Sequence, residues 1–414
     1  MFRVSGQRTP LYAALRPLPM GIAPRQPIHR YLSAGKIARF ADVEFLAGGS
    51  TLERDPNGRT TLYDGLPPYM AFSAPSGFLG RQIAQQVSRA QPFPESLKDW
   101  SDEHRIAWLF TMGLNLPGNL VFGSACLQRE MELRAAEPVP EAQKLTHYVE
   151  MAQALKAAAY GSSAGGEQPK FLSFTEGAGH VLVKFAKRGS RMADLLPLEH
   201  LALRALATVG VPSAPTQLLL SEDHVFLEVV RFDREGTTGR VGMLSAGAVD
   251  DEFFGKRDTW PEFAARCLRA KYISAEDAAH IDTMAAFSEL IGNTDRHFEN
   301  LSLLIDDEGE YQGVAPAYDI LPMRYAPIGG GIEPDLNPIE PKVGTVGARP
   351  EIWSRAAKAA GLFWHTVQVA DLPAPVSTAM RQLAARNLDV VRTFLAPLVP
   401  DEVLQSALSR RAPE

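Results

Sequence analysis

The chain has 414 residues, 45% hydrophobic and 22% charged, the balance of an ordinary globular protein long enough for two or three packed units. A net charge of −6 gives no case for a surface that binds nucleic acid as a whole, and Cys126 and Cys267 read as buried thiols of a reducing compartment rather than a disulfide or a metal site. No run approaches the roughly 18 apolar residues of a membrane span, and Arg3, Gln7 and Arg8 interrupt any signal-peptide core, so a cytoplasmic protein with no membrane association is expected.

In chain order, Phe2–Val4 and Leu11–Leu15 read as two short strands around a polar turn, after which Pro17, Pro19, Pro24 and Pro27 break the pattern. Residues 1–30 therefore look like the end of a small β-rich module, a wing or linker. Residues 31–140 read as an α/β subdomain. It has a strand at Ala41–Ala47, a hairpin over Leu52–Tyr63 around Asp55-Pro56-Asn57-Gly58, and helices near Gly80–Arg89 and Asp102–Met112. It carries no catalytic constellation, which suits a scaffold or a partner surface. Glu137-Pro138-Val139-Pro140 marks a boundary.

The stretch 141–234 carries the first chemical signal. A helix over Tyr148–Ala159 leads into Gly161-Ser162-Ser163-Ala164-Gly165-Gly166-Glu167-Gln168-Pro169-Lys170, then strands at Phe171–Phe174 and His180–Phe185. Small residues before a strand let backbone N–H groups approach phosphate oxygens, although such a loop alone is equally a linker. Lys184 is the sharper signal, because an ammonium in an apolar strand needs an anionic partner. Pro197 fits a helix start, which puts Glu199 in the first turn, either as that partner or as a complement to the helix dipole. A hairpin, Thr216–Leu220 and Val225–Phe232, has its exit at Glu228–Arg234, where two lobes would join and backbone groups could read an adenine edge.

Residues 235–414 read as a helical lobe. Thr259 and Pro261 open one helix, and Ser274 with Asp277 forms a capping box for the next, which Gly292 ends. The polar loop that follows holds Asp295, His297 and Asn300 before the apolar strand Leu301–Leu304, and Asp319 falls where the next short strand would end. One carboxylate to deprotonate a hydroxyl, with an amide and a second carboxylate to hold Mg²⁺, is the layout phosphoryl transfer needs; the plain alternative is a set of turn residues. Further helices are expected at Glu351–Ala360, Val376–Ala385 and Leu388–Leu395, with Arg381, Arg386 and Arg392 as solvated charges. A Gly/Pro-rich loop spans Tyr325–Pro341, where a substrate platform or a mobile surface loop would lie.

Ser163-Ala164-Gly165-Gly166-Glu167-Gln168-Pro169-Lys170, Val183-Lys184-Phe185, Arg231-Phe232-Asp233-Arg234, Asn293-x-Asp295-x-His297-x-x-Asn300 and Tyr318-Asp319 together resemble the HipA-like serine/threonine kinases. These are toxins of bacterial type II toxin–antitoxin systems, and the wording here is closest to the HipH (YjjJ) branch. The resemblance implies an α+β, two-lobed protein-kinase-like fold with an N-terminal α/β subdomain and a mostly helical C-terminal lobe. It implies Asp295 as catalytic residue, Asn300 and Asp319 as Mg²⁺ ligands, and ATP contacts from Ser163, Ala164, Gly165, Gly166, Lys170, Lys184, Glu199, Val230 and Phe232. Ser163, or its neighbour Ser162, aligns with an autophosphorylated serine that switches the kinase off. The expected partners are a protein substrate phosphorylated on Ser or Thr, such as a translation factor or aminoacyl-tRNA synthetase, and an antitoxin. DNA binding by this chain alone is not expected. Glu167 and Glu299 depart from the family pattern and would lie near phosphates. The loop's wording also resembles phosphoinositide kinases, in which the equivalent of His297 takes part in chemistry. A small-molecule or phosphoinositide-like kinase and a silent regulatory pseudokinase are the alternatives.

Overall fold

The computed structural model describes residues 2–4, 11–134, 136–158, 168–328 and 331–408. The chain divides into two compact units, one of residues 1–137, 233–256 and 304–310 and the other of 138–232, 257–303 and 311–414. Residues 235–256, expected with the helical lobe, belong with the first unit. Among the described residues no helix is long and apolar enough to cross a membrane.

The first unit is built on a five-stranded antiparallel sheet in the order Thr60–Tyr63, Thr51–Arg54, Ile37–Phe45, Arg25–Tyr31, Leu120–Phe122. Ile28, Val43, Phe45 and Phe122 pack from it onto Met70, Trp100, Ile106, Leu109 and Phe110 of the covering helices and loops. The strand Arg25–Tyr31 corrects the reading of Pro27 as a breaker. Pro27 stands opposite Asp42 and accepts the Gly123 N–H at 2.8 Å through its carbonyl, and its missing N–H falls beside the register shift at Ile28/His29, where a proline is tolerated. The Asp233-Arg234 half of the third motif is structural. Arg234 donates to the carbonyls of Leu116 and Gly118 at 2.7 and 3.0 Å and to Asp233 at 2.8 Å, while Asp233 also accepts the Gly118 N–H at 2.8 Å.

The second unit is two-lobed. Its smaller lobe is a four-stranded antiparallel sheet in the order Thr216–Leu220, His224–Val230, Gly179–Lys187, Lys170–Thr175. Alternation decides its faces. Val181, Val183 and Phe185 pack with Tyr148 of the helix Lys144–Ala158, so Lys184 points to the other face, toward the helix Arg191–Thr208. That helix begins at Ser190, whose hydroxyl accepts from Ala193 N–H, so Pro197 is interior rather than at the start. Glu199 is consequently mid-helix and fully buried, too deep to act on the helix dipole.

The larger lobe packs the helices Trp260–Ala270, Ala275–Ile291, Pro350–Val369, Thr378–Leu395 and Asp401–Leu408, with Trp353, Phe363 and Trp364 buried among them. Thr378–Leu395 replaces the two helices expected there. Asn387 does not interrupt it because its amide is satisfied across the lobe, donating to Tyr325 Oη at 3.0 Å and accepting from Ile339 N–H at 3.0 Å. Arg381 is no solvated charge either. Its guanidinium holds the carbonyls of Gln368 and Ala370 at 2.8 and 2.7 Å, closing the end of the preceding helix.

Candidate active site

The loop after helix Ala275–Ile291 is shaped before its chemistry begins. The capping box of Ser274 and Asp277 forms at one end of the helix, and Gly292 closes the other with φ 76°. A side chain at Gly292 would strain that backbone and set a Cβ 2.9 Å from Ile339 Cγ2. Asn293, 2% exposed, is the loop's internal brace: its Oδ1 accepts Asp295 N–H at 3.0 Å and its own N–H reaches Ser288 O at 2.8 Å. Asn300, in the turn Phe298–Asn300, donates from Nδ2 to the Asp295 carbonyl at 3.0 Å, leaving its amide oxygen for another partner. The Asp295 carboxylate stays half-exposed.

Asp319 arrives from elsewhere. It does not end a strand: Tyr311–Val314 finishes five residues earlier, and Asp319 stands on irregular backbone with φ 55°, a sparsely populated conformation for a non-glycine residue. The segment is held on both sides. Ala317 exchanges backbone hydrogen bonds with Pro212 and Ala214 at 2.7 and 2.9 Å, and Tyr318 Oη donates to the Glu299 carbonyl at 2.9 Å.

These ties bring Asp319 to Lys184. The ammonium is bonded to both Glu199 oxygens at 2.7 and 2.8 Å and to Asp319 Oδ1 at 2.6 Å. Burial alone would depress the lysine, but the two carboxylates outweigh it and hold Lys184 above its ordinary range. Burial pushes Glu199 up and Lys184 only partly offsets it, whereas Asp319, opposed by burial but facing Lys184 and Lys170, is pulled down to about 2. Lys170 lies opposite Lys184 in the strand register, so two ammonium groups share one patch, an arrangement that is unfavourable without anions.

His297 sits between two acids, with Nε2 3.4 Å from Asp295 Oδ1 and Nδ1 3.4 Å from Glu299 Oε2. The bond to Glu299 raises the imidazole pKa against the effect of burial, and Asp295 adds to the rise. Glu299, expected to burden phosphates, is compensated instead: His297 and Arg257, whose Nη1 is 2.6 Å away, hold it down to about 2. Arg257 lies 42 residues from Glu299, so nothing local in the sequence signals the pair. Because the folded state raises His297, its ion pairs stabilise the loop most below the usual value of 6.5 and fade as pH rises through the raised one. Glu299→Gln is expected to bring the His297 pKa back toward 6.5, read from the pH dependence of the imidazole Cε1–H NMR shift; an unchanged titration would exclude the contact.

At the lobe junction, Val230 N–H is already given to the Pro215 carbonyl at 2.9 Å, so Val230 has only its carbonyl for an adenine edge. Phe232 packs at a tilt against Tyr318, with ring centroids 5.5 Å apart, beside Asp319 in sequence. Ser162, Ser163, Ala164, Gly165, Gly166 and Glu167 lie outside the described residues.

Residues 22–131 match the family described as YjjJ-like toxin, middle domain, and residues 162–388 match the HipA-like C-terminal domain. Toxin YjjJ of Escherichia coli K12 is 34% identical over 403 residues, spanning 95% of this chain and 89% of its own length. Among solved structures, HipA in the HipA–HipB–operator DNA complex of Shewanella oneidensis MR-1 superposes with a TM-score of 0.52 at 14% identity, covering 91% of this chain and 99% of that one, which establishes the fold. With a kinase-like pair of lobes, both family matches and a full-length relative in agreement, the chain belongs to the HipA-like family, among its YjjJ-like toxins.

Proposed function

We propose that the chain is an ATP- and Mg²⁺-dependent kinase that phosphorylates Ser or Thr of a protein acceptor and acts as a toxin. The observation that carries this reading is the convergence on Lys184 of Glu199 from a helix and Asp319 from the far segment, next to a loop that presents Asp295. Lys184 has three N–H donors, all engaged here. A phosphate oxygen of ATP takes the place of Asp319 on the ammonium, while Glu199 keeps the side chain aimed. Lys170 neutralises the same phosphates from the neighbouring strand.

Asn300 Oδ1 and the ionised Asp319 carboxylate are hard oxygen donors of the kind that suit Mg²⁺, which takes one or two protein ligands and fills its shell with phosphate oxygens. Held there, Mg²⁺ would supply positive charge to offset the charge that builds on the phosphates during transfer. Asp295 orients the acceptor hydroxyl and takes its proton as the hydroxyl oxygen bonds to the γ-phosphorus. The bond from that phosphorus to the β,γ-bridging oxygen breaks, and ADP leaves with the electron pair. His297, held by Glu299, hydrogen-bonds the carboxylate that receives the proton. Autophosphorylation at Ser163 or Ser162 would add about two negative charges to the Gly/Ser-rich segment and silence the enzyme. Since HipA was solved with HipB and operator DNA, a protein antitoxin is the expected partner.

The test is incubation with γ-labelled ATP and Mg²⁺, followed by acid hydrolysis of the protein fraction. Label is expected as phosphoserine or phosphothreonine and should disappear with EDTA. Label found only on lipid or a small molecule would overturn the protein-kinase assignment, and nucleotide binding without transfer would point to a pseudokinase.

A further inference from the structure

A cavity of about 490 Å³ opens beside Asp295. Its walls come from the start of helix Trp260–Ala270, from Ala285 and Glu289 of the preceding loop's helix, from Thr294–His297 and from the turn Val343–Val346. None of Lys170, Lys184, Asn300 and Asp319 lines it. It therefore borders the general base without including the groups assigned to ATP and Mg²⁺, which leaves it open to an acceptor.

The wall chemistry narrows the acceptor. Trp260, Pro261, Ala285, Val343 and Val346 supply apolar surface, and the Thr259 and Thr345 hydroxyls bond each other at 2.8 Å. The charged groups apart from Asp295 and His297 are already paired. Asp258 takes a two-pronged bond from Arg266 at 2.6 and 2.7 Å, and Glu289 pairs with Arg296 at 2.6 Å while accepting the Lys342 N–H at 3.0 Å. Beyond Asp295 and His297, which face the transfer itself, an anionic headgroup or sugar phosphate would find no unpaired cation in this wall, and a basic side chain no unpaired acid. Trp260 Nε1 donates to the His297 carbonyl at 3.2 Å, so this wall is fixed to the loop that carries the base.

The geometry points to an acceptor subsite: the cavity takes an uncharged aliphatic side chain of the substrate polypeptide, flanking the Ser or Thr that is phosphorylated. This rests on the kinase reading above. Its volume has room for a side chain with the adjoining backbone, and the pairing of its charged groups discriminates against charged neighbours, so it acts on KM.

The experiment uses the full chain with a library of Ser-centred peptides in which each flanking position is Leu, Val, Gly, Lys or Glu in turn. At one flanking position the wild type is expected to prefer Leu or Val over Glu by tenfold or more in KM, with kcat little changed. Val343→Lys should reverse that preference toward Glu. Thr345→Lys, on the exposed rim, repeats the reversal with a side chain that the fold does not need. Phosphate transferred to the peptides without any flanking preference, or a preference that both lysine variants leave intact, overturns the subsite and leaves the kinase standing. Transfer to phosphoinositide vesicles in place of peptides overturns the polypeptide acceptor, and no transfer to any Ser or Thr overturns both readings.

Discussion

Asp295→Asn is expected to lower phosphoryl transfer by about a thousandfold, within the 10²–10⁴ range typical of losing a general base, and to leave the melting temperature within a degree or two. The two outcomes separate because of where the side chain lies. The Asp295 carboxylate is half-exposed on a loop whose shape is set by other atoms: Asn293 holds the Asp295 N–H, Asn300 holds its carbonyl, and Gly292 makes the turn. The amide keeps the size and polarity of the acid but accepts no proton. Steady-state rates beside a thermal melt decide it. A variant that melts many degrees lower would mean that the carboxylate is part of the fold, and one with wild-type turnover would exclude it as the base.

Lys184→Met should affect both stability and activity. Lys184 and Glu199 are 3% and 0% exposed, and removing the cation leaves a buried carboxylate beside Asp319 with little but Lys170 to offset the two. Breaking such a pair costs about 3–5 kcal/mol, a large share of a typical domain's stability. Adding Glu199→Leu removes the stranded charge from the apolar interior, so the double variant should recover most of the loss in urea melts while remaining without kinase activity. Equal stability of Lys184→Met and wild type would mean that the ammonium is not enclosed as described. Recovery of activity in the double variant would mean that Lys184 does not serve the phosphates.

The sequence was most legible where chemistry and geometry are both local. The capping box at Ser274, the end at Gly292, the five-residue step from Asp295 to Asn300 and the strand after it are set by neighbours a few positions apart, and each appears as read. Lys184 was legible for another reason, since an ammonium in an apolar strand demands a partner. Glu199 was named correctly from the wrong local structure: Pro197 suggested a helix start, but Ser190 caps the helix earlier and tertiary packing accommodates the proline inside.

Groups satisfied over long distances were illegible. Arg257 on Glu299, Asn387 on Tyr325 and Arg381 on the carbonyls of another helix have no signature in their own neighbourhoods. The buried cluster in which Tyr148 donates to Glu228 at 2.5 Å, with Lys144 at 3.5 Å, likewise depends on a fold that brings a helix onto a strand 80 residues later. The strand through Pro27 was illegible because a proline in a short run reads as a breaker, while the Asp42 register and the Gly123 N–H that hold it in the sheet come from other segments.

The most direct test is the intact mass of the purified chain and of Asp295→Ala, each with and without Mg·ATP. A gain of one phosphate on the wild type, mapping to Ser162 or Ser163 and absent from the variant, is the predicted result. A gain of equal size on Asp295→Ala, or no gain in any sample, would contradict a kinase that uses Asp295.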